Sequence, residues 1–120
     1  MSASVYFEDV TSNFITHYVE LMKEDPSKTE PMYSPKVKLV IDDQTFEGNT
    51  VFEQIKGLGK LELATDSKYH GQPYETSSVI ISAKMVANKK PYSVAFILEE
   101  VNPEDHQFGI TFQIMKQIRD

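Results

Sequence analysis

The stretch FEDVTSNFITHYVELM, from Phe7 to Met22, determines how the fold begins. Its apolar residues recur at steps of three and four, at Phe7, Val10, Phe14, Tyr18 and Leu21. This spacing is typical of an amphipathic helix that buries one face. We expect the helix to end between Lys23 and Asp25, since the residue before a proline avoids the helical region and Pro26 follows.

A short second helix and a first strand are predicted directly behind this helix. Asp25 or Ser27 would cap the short helix, which ends before Pro31 or Pro35. From Lys36 the apolar period changes to two, which is typical of a strand. The residues of this strand that point to the core are Val37, Leu39 and Ile41.

The rest of the chain is predicted to hold a hairpin, a third helix and four long strands. A turn at Asp42 and Asp43 leads to a second strand around Thr45–Glu47, and the third helix runs from about Thr50 to Gly59. The long strands are Leu61–Tyr69, Ser78–Ala87, Tyr92–Val101 and Phe108–Ile118. Turn residues separate them, at Gly71–Pro73, Asn88–Pro91 and Asn102–Asp105. The last three strands are expected to form an antiparallel meander.

The strands are apolar on more than one face, which predicts a dimer interface. In the last strand we assign Phe108, Ile110, Phe112, Ile114 and Ile118 to the core, and the alternating residues to the opposite face. The segment Ser78–Ala87 is partly apolar on both faces. A sheet with a half-apolar outer face is a candidate interface. The predicted interface residues are Ile80, Ser82, Lys84, Thr111, Gln113 and Met115.

Length and composition exclude several classes of function. The 120 residues, 40% hydrophobic and 25% charged, fit a single domain spanning residues 1–120. A formal charge of −6 argues against direct binding of nucleic acid. The absence of cysteine excludes disulfides, thiolate metal sites and a cysteine nucleophile. Since no signal peptide or membrane span is recognisable, we expect a soluble intracellular protein that does not bind membranes.

The residues that usually carry catalysis or bind metals do not form a recognisable constellation. His17, His70 and His106 are isolated in the sequence, and none has the spacing of a metal-ligand pair. Gly57-Leu58-Gly59 lacks the third glycine of a dinucleotide loop. We therefore predict no catalytic residue, no metal site and no cofactor.

Five short motifs, in the order of the predicted elements, resemble the nuclear transport factor 2-like family. They are Phe7-Glu8-x-Val10 continuing to Leu21, Met32-Tyr33, Leu39 with Phe46-x-Gly48, Gln72-Pro73, and Val79-Ile80-Ile81-Ser82. The resemblance covers nearly the whole chain. It implies an α+β cone in which a curved antiparallel sheet packs on three helices. Asp25–Lys28 (DPSK) is similar to the Ras-GAP SH3-binding type of member.

The resemblance implies a non-catalytic, dimeric protein-binding module. Such domains serve in nucleocytoplasmic transport, for example as the small partner subunit of messenger RNA export receptors, or as Ras-GAP SH3-binding-like scaffolds. The implied partner in the dimer is a second copy or another domain of this family. Cytoplasm and nucleus are the implied locations, with the nuclear pore as a candidate site.

The family also suggests roles for single residues on the first helix. Phe7 stands where transport members bind the Phe-Gly repeats of nucleoporins, although it equally fits the start of the core stripe. In those members the pair at His17 and Tyr18 is scaffold, and we adopt that interpretation here.

Two other functions of this family remain open. A Ran-GDP import carrier would present acids, and Asp42 and Asp43 are the candidate GTPase-facing residues, but the turn Ala87–Pro91 is basic and argues against Ran-GDP binding. A ketosteroid isomerase-like enzyme would need a neutral carboxylic acid beside a tyrosine. Tyr18, Tyr33 and Asp66 would have to converge to supply it.

Overall fold

The structure is a computed structural model that describes the backbone of residues 3–64, 68–75, 78–102 and 107–118. The side chains of residues 3–7, 74, 75, 101, 102 and 107 lie outside the description. The described helices are α1 (Ala3–Glu24), a 3₁₀ helix (Pro26–Met32) and α2 (Asn49–Leu58). The described strands are β1 (Tyr33–Ile41), β2 (Gln44–Glu47), β3 (Leu61–Leu63), β4 (His70–Glu75), β5 (Ser78–Ala87), β6 (Lys90–Asn102) and β7 (Gln107–Gln117).

The helices end where the sequence predicts, although α1 begins at Ala3, before the stretch that starts at Phe7. The Asp25 carboxylate caps the 3₁₀ helix by accepting a hydrogen bond of 3.0 Å from the Ser27 N–H. This bond holds the pKa of Asp25 below its ordinary value. Helix α2 ends at Leu58 and is followed by Gly59, whose φ of 83° lies in the left-handed region that favours glycine.

The strands form a curved mixed sheet with the order β2-β1-β7-β6-β5-β3, and β4 pairs with a separate stretch of β5. The predicted meander of β5, β6 and β7 is confirmed. The expectation of a wholly antiparallel sheet is wrong at one place, because β1 runs parallel to β7. Parallel neighbours need a long connection, and here all the elements between β1 and β7 supply it.

The structure also corrects the predicted strand Leu61–Tyr69. In the described residues the first strand of this region stops at Leu63, and β4 occupies the position of the predicted turn at Gly71–Pro73. Pro73 is tolerated there because β4 pairs only with β5 among the described strands and so lies at an edge of the sheet, where strand prolines are found. Gly71 is required, since a Cβ at this position would overlap the Thr11 side chain of α1. The turn at residues 102–105 lies partly outside the described residues.

A β-bulge at Thr111 decides which residues of β7 face the core. Leu98 pairs with Ile110, whereas the preceding residue of β6, Ile97, pairs with Phe112, so that Thr111 is the extra residue. Its hydroxyl donates to the Ile97 carbonyl at 3.3 Å. Because side chains alternate along a strand, the extra residue turns everything after it to the other face. The assignment of Phe112, Ile114 and Ile118 to the core is therefore wrong.

The core lies between the inner face of the sheet and the helices. Ile15, Tyr18 and Met22 of α1 are at most 1% exposed, and they pack on the inner face. The inner residues of the sheet include Leu39, Ile81, Met85, Phe96, Ile110 and Met115. The predicted core positions Val37 and Leu39 of β1 are confirmed. The opposite, outer face of the sheet carries no helix in the described part of the chain.

Candidate functional site

An apolar band crosses the outer face of the sheet. Two adjacent rows of cross-strand neighbours compose it: Ile80, Ile97 and Phe112 form one row, and Ala95, Ile114 and Val40 form the other. We use the name apolar band for these six residues. Directly paired side chains in a sheet lie about 5 Å apart, so the six form one continuous surface.

The apolar band is partly open to solvent. Ile114 is 43% exposed, and five of the six residues are half-buried. Ile118, the residue directly after β7, is 37% exposed. Contiguous exposed apolar surfaces of this kind mark interaction sites in soluble proteins.

The structure divides the six predicted interface residues between the two faces. Ile80, Ser82 and Lys84 lie on the outer face, as predicted. Thr111 sits half-buried at the bulge. Gln113 and Met115 are 0% exposed on the inner face, so assigning them to the outer face is wrong.

The outer face carries other residues in place of Gln113 and Met115, and the sequence pattern does not predict them there. The sequence pattern assigns Phe112 and Ile114 to the core and does not assign Val40, Ala95 and Ile97 to the interface. The physical reason is the same bulge, because an unbroken alternation places the wrong half of β7 outside. A single extra residue leaves no mark in the hydrophobic pattern, since Ile110, Phe112 and Ile114 are apolar on both sides of it.

A second feature is a cleft of about 370 Å³ between the 3₁₀ helix, β1 and α2. Tyr33 and Phe52 line it, with their ring centroids 6.0 Å apart. Glu30, Glu53 and Lys56 add charges to its walls, and the Lys56 ammonium lies 5.6 Å from the Phe52 ring centroid. The cleft is therefore a surface depression lined by both charged and aromatic side chains.

A chain of hydrogen bonds runs from Tyr33, in the wall of the cleft, into the core. Tyr33 donates to the side-chain carbonyl of Gln113 at 2.9 Å, and the Tyr18 and Tyr33 hydroxyl oxygens are 2.6 Å apart. Since Tyr33 has given its only proton to Gln113, Tyr18 is the donor to Tyr33. Gln113 in turn donates to the Met115 sulfur at 3.4 Å. These bonds explain how a glutamine is accommodated in the core.

The tyrosine pair is poorly suited to proton transfer at neutral pH. Burial raises the pKa of both Tyr18 and Tyr33 above the ordinary 10.0, and for Tyr33 the neighbouring Tyr18 raises it further. Both hydroxyls therefore stay protonated, and each donates within the core. Tyr18 and Tyr33, two of the three residues that an isomerase-like site would require, therefore lie together, while Asp66 lies outside the described residues. His17, beside Tyr18 in sequence, is exposed.

The remaining predicted positions lie at the ends of the sheet. Asp42 is exposed, but its carboxylate accepts a 3.0 Å hydrogen bond from the Gln117 N–H and joins the first hairpin to β7. Asp43 is exposed in the same turn. Lys89 and Lys90 are exposed at the β5–β6 turn, where Asn88 and Lys89 both have positive φ. The side chain of Phe7 lies outside the description, so its exposure stays a prediction.

Two other kinds of site are absent from the described ranges. No group of three or more His, Asp or Glu side chains there is arranged to hold a metal ion. No helix there is long and apolar enough to cross a membrane.

Comparison with solved structures identifies the fold. Nuclear transport factor 2 from Cryptosporidium parvum is 17% identical, with 93% of this chain and 94% of that chain covered and a TM-score of 0.68. An NTF2-like protein from Cytophaga hutchinsonii is 12% identical, with 92% and 98% covered and a TM-score of 0.72. An NTF2-like protein of unknown function from Shewanella baltica is 12% identical, with 96% and 98% covered and a TM-score of 0.66.

The sequence itself matches no protein-family model and no curated protein. The similarity to the solved structures shows that the chain has the nuclear transport factor 2-like fold, and at these identities it shows the fold alone.

Proposed function

We propose that this chain is a non-catalytic, dimeric protein-binding module that pairs through the outer face of its sheet. The observation that carries the proposal is the apolar band, in which Phe112 and Ile114 face outward instead of into the core. Covering such side chains removes apolar area from water at about 25 cal/mol per Å². A complex formed on this face would therefore be stabilised by burial of the apolar side chains that the bulge turns outward.

The interior of the domain supports a binding role over a catalytic one. The inner-face polar groups Tyr18, Tyr33 and Gln113 form hydrogen bonds with one another. Tyr18 and Gln113 are also 0% exposed, so a substrate would have no access to them. A general acid or oxyanion donor has to reach the reacting atoms. The alternative of a ketosteroid isomerase-like enzyme would require this chain of bonds to open at Tyr33.

Within the binding function, we propose that the dimer serves nucleocytoplasmic transport or a Ras-GAP SH3-binding-like scaffold. The support is the similarity in fold to nuclear transport factor 2 from Cryptosporidium parvum, together with the sequence motifs around Phe7 and Tyr33. Phe-Gly motif proteins are then the proposed ligands, bound by Phe7, with cytoplasm and nucleus as the proposed locations. An aromatic side chain suits weak and reversible recognition of such repeats.

The alternative of a Ran-GDP carrier is less well supported by the charges at the sheet ends. The Asp42 carboxylate already bonds the Gln117 N–H, and Lys89 and Lys90 are exposed on the β5–β6 turn. Cations on this turn would face a basic partner unfavourably. Tight binding of Ran-GDP by the unmodified protein would favour the carrier instead.

Sedimentation equilibrium of the unmodified chain over a range of concentrations tests the proposal. We expect the mean mass to rise from the 13.7 kDa of one chain towards twice that value in the micromolar range. Titration with a Phe-Gly repeat peptide then tests the finer function on the same sample. A monomer at all concentrations up to several hundred micromolar would contradict the dimeric module.

A further inference from the structure

The outer face has an ordered distribution of charge along the strands. Glu99 is exposed at one end of the apolar band, in the row formed with Ser78 and Gly109. Lys84 of β5 and Lys116 of β7 are exposed at the other end, where both are the cross-strand neighbours of the exposed Ser93 of β6. Across β5, β6 and β7 the face is therefore acidic at one end, apolar in the middle and basic at the other end.

We infer that a second copy of this chain packs on the outer face with its strands antiparallel to those of the first, so that Glu99 of each copy lies between the partner's Lys84 and the partner's Lys116. This inference rests on the proposed dimer and adds its orientation. The occupant is a second copy because a surface with opposite charges at its two ends complements itself once it is turned end for end.

The spacing of the rows fits this arrangement. Ser93 and Glu99 lie about 20 Å apart along β6, at roughly 3.3 Å per residue. The midpoint between them lies between Ala95 and Ile97, in the middle of the apolar band. A twofold axis that runs across the strands at this midpoint places the row of Ile97 in one copy against the row of Ala95 in the other copy. The same operation brings Glu99 opposite the partner's Ser93.

The competing arrangement has its twofold axis along the strands and is disfavoured. It would place each end of the face on the same end of the other copy, so that Glu99 meets the partner's Glu99. Lys84 and Lys116 would likewise meet the partner's lysines. Like charges placed opposite one another in an interface oppose association.

Three further charges of the described outer face, Lys38, Glu47 and Glu62, do not oppose the antiparallel arrangement. Lys38 and Glu47 form an ion pair of 3.6 Å with each other on β1 and β2. The twofold rotation places this row opposite the row of Val40 and Thr45 in the second copy, which carries no charge. Glu62 lies one row beyond Lys84 on the short strand β3, outside the rows that meet.

Charge reversal tests the orientation. Glu99→Lys places a cation against the partner's Lys84 and the partner's Lys116 at two symmetric contacts, so the dimer dissociation constant should rise about tenfold or more. Adding Lys84→Glu and Lys116→Glu to the same chain restores opposite charges and should recover most of the affinity. Both effects should shrink as salt is added. Glu20→Lys on the exposed surface of α1 changes the net charge equally and serves as the control.

The outcomes separate this inference from the proposed function. A dimer weakened by Glu99→Lys, unaffected by Glu20→Lys and restored by the triple variant supports the antiparallel arrangement. A dimer whose affinity is the same with Glu99→Lys, or stronger with Glu99→Gln, overturns the orientation and leaves the dimeric module standing. An unmodified chain that stays monomeric overturns both.

Discussion

Phe112 of β7 stands opposite Ile97 of β6 on the outer face of the sheet, although Ile110 stands opposite Leu98 on the inner face. The one extra residue between these pairs, Thr111, gives the protein both its apolar band and its buried glutamine. Without the bulge, Gln113 would face solvent and Phe112 would fill the core. The inner polar chain and the outer apolar surface are therefore two results of the same irregularity.

The polar chain predicts that Tyr33 matters more for stability than Tyr18. Tyr33→Phe leaves the buried Tyr18 hydroxyl without its acceptor and the Gln113 carbonyl without its donor, which should cost about 1–3 kcal/mol. Tyr18→Phe removes only the bond to Tyr33 and should cost about 1 kcal/mol or less. Urea unfolding of the two variants measures the free energies. An equal or larger cost for Tyr18→Phe would contradict the direction assigned to this chain of bonds.

The same two tyrosines predict loss of stability at alkaline pH. Because burial raises their pKa in the folded state above the 10.0 of the unfolded chain, the unfolded state loses these protons first as pH rises. Their contribution is complete below about pH 10 and falls above it, by up to about 1.4 kcal/mol per pH unit for each tyrosine. Tyr18→Phe should make the decline shallower. The free energy of unfolding is measured by urea titration between pH 10 and 11.5. If it falls as steeply with pH in Tyr18→Phe as in the unmodified chain, folding does not raise the pKa of Tyr18.

The contact between β4 and α1 predicts a strong effect at Gly71. A Cβ there would overlap the Thr11 hydroxyl and come within 2.8 Å of two further Thr11 carbon atoms, so Gly71→Ala should destabilise by about 1–3 kcal/mol. Gly57→Ala is the matched control, because no atom lies within 4 Å of a Cβ at that position in α2. The control should be neutral or stabilising by up to about 1 kcal/mol. Thermal melts that show equal effects would contradict the close approach.

Phe7 offers a test of Phe-Gly recognition. If its ring binds the repeats, Phe7→Ala should weaken binding of a Phe-Gly peptide while the melting temperature stays nearly unchanged. A ring that belongs to the core would cost about 3–5 kcal/mol on truncation. Peptide titration and a melt on the same variant distinguish the two. A large fall in melting temperature would assign Phe7 to the core.

Much of the fold could be predicted from the sequence, because its signals are local. The spacing in Phe7–Met22, the Asp25 cap and the alternation through Val37 and Leu39 each act over a few residues, and the structure agrees with them. The order of the elements then resembles one fold family, which the comparisons bear out as to fold.

The candidate site was harder to predict because it depends on pairing between distant segments. The bulge at Thr111 exists only relative to Ile97 and Leu98 of another strand, and the local sequence HQFGITFQIMKQ looks like plain alternation. Strand β4 was missed for a related reason, because Gly71 and Pro73 are turn residues in most local contexts. Here an edge position and the approach of α1 favour a strand instead.

The most direct test of the central claim is the solution mass of Ile114→Glu measured beside the unmodified chain. Ile114 is 43% exposed on the outer face, so the substitution should leave the fold intact while it puts a charge into the apolar band. Thr16→Glu adds the same charge on the exposed surface of α1 and is the control. We predict a dimer for the unmodified chain and for Thr16→Glu, and a folded monomer for Ile114→Glu at the same micromolar concentration. A folded Ile114→Glu that dimerises as tightly as the control would contradict pairing through the outer face.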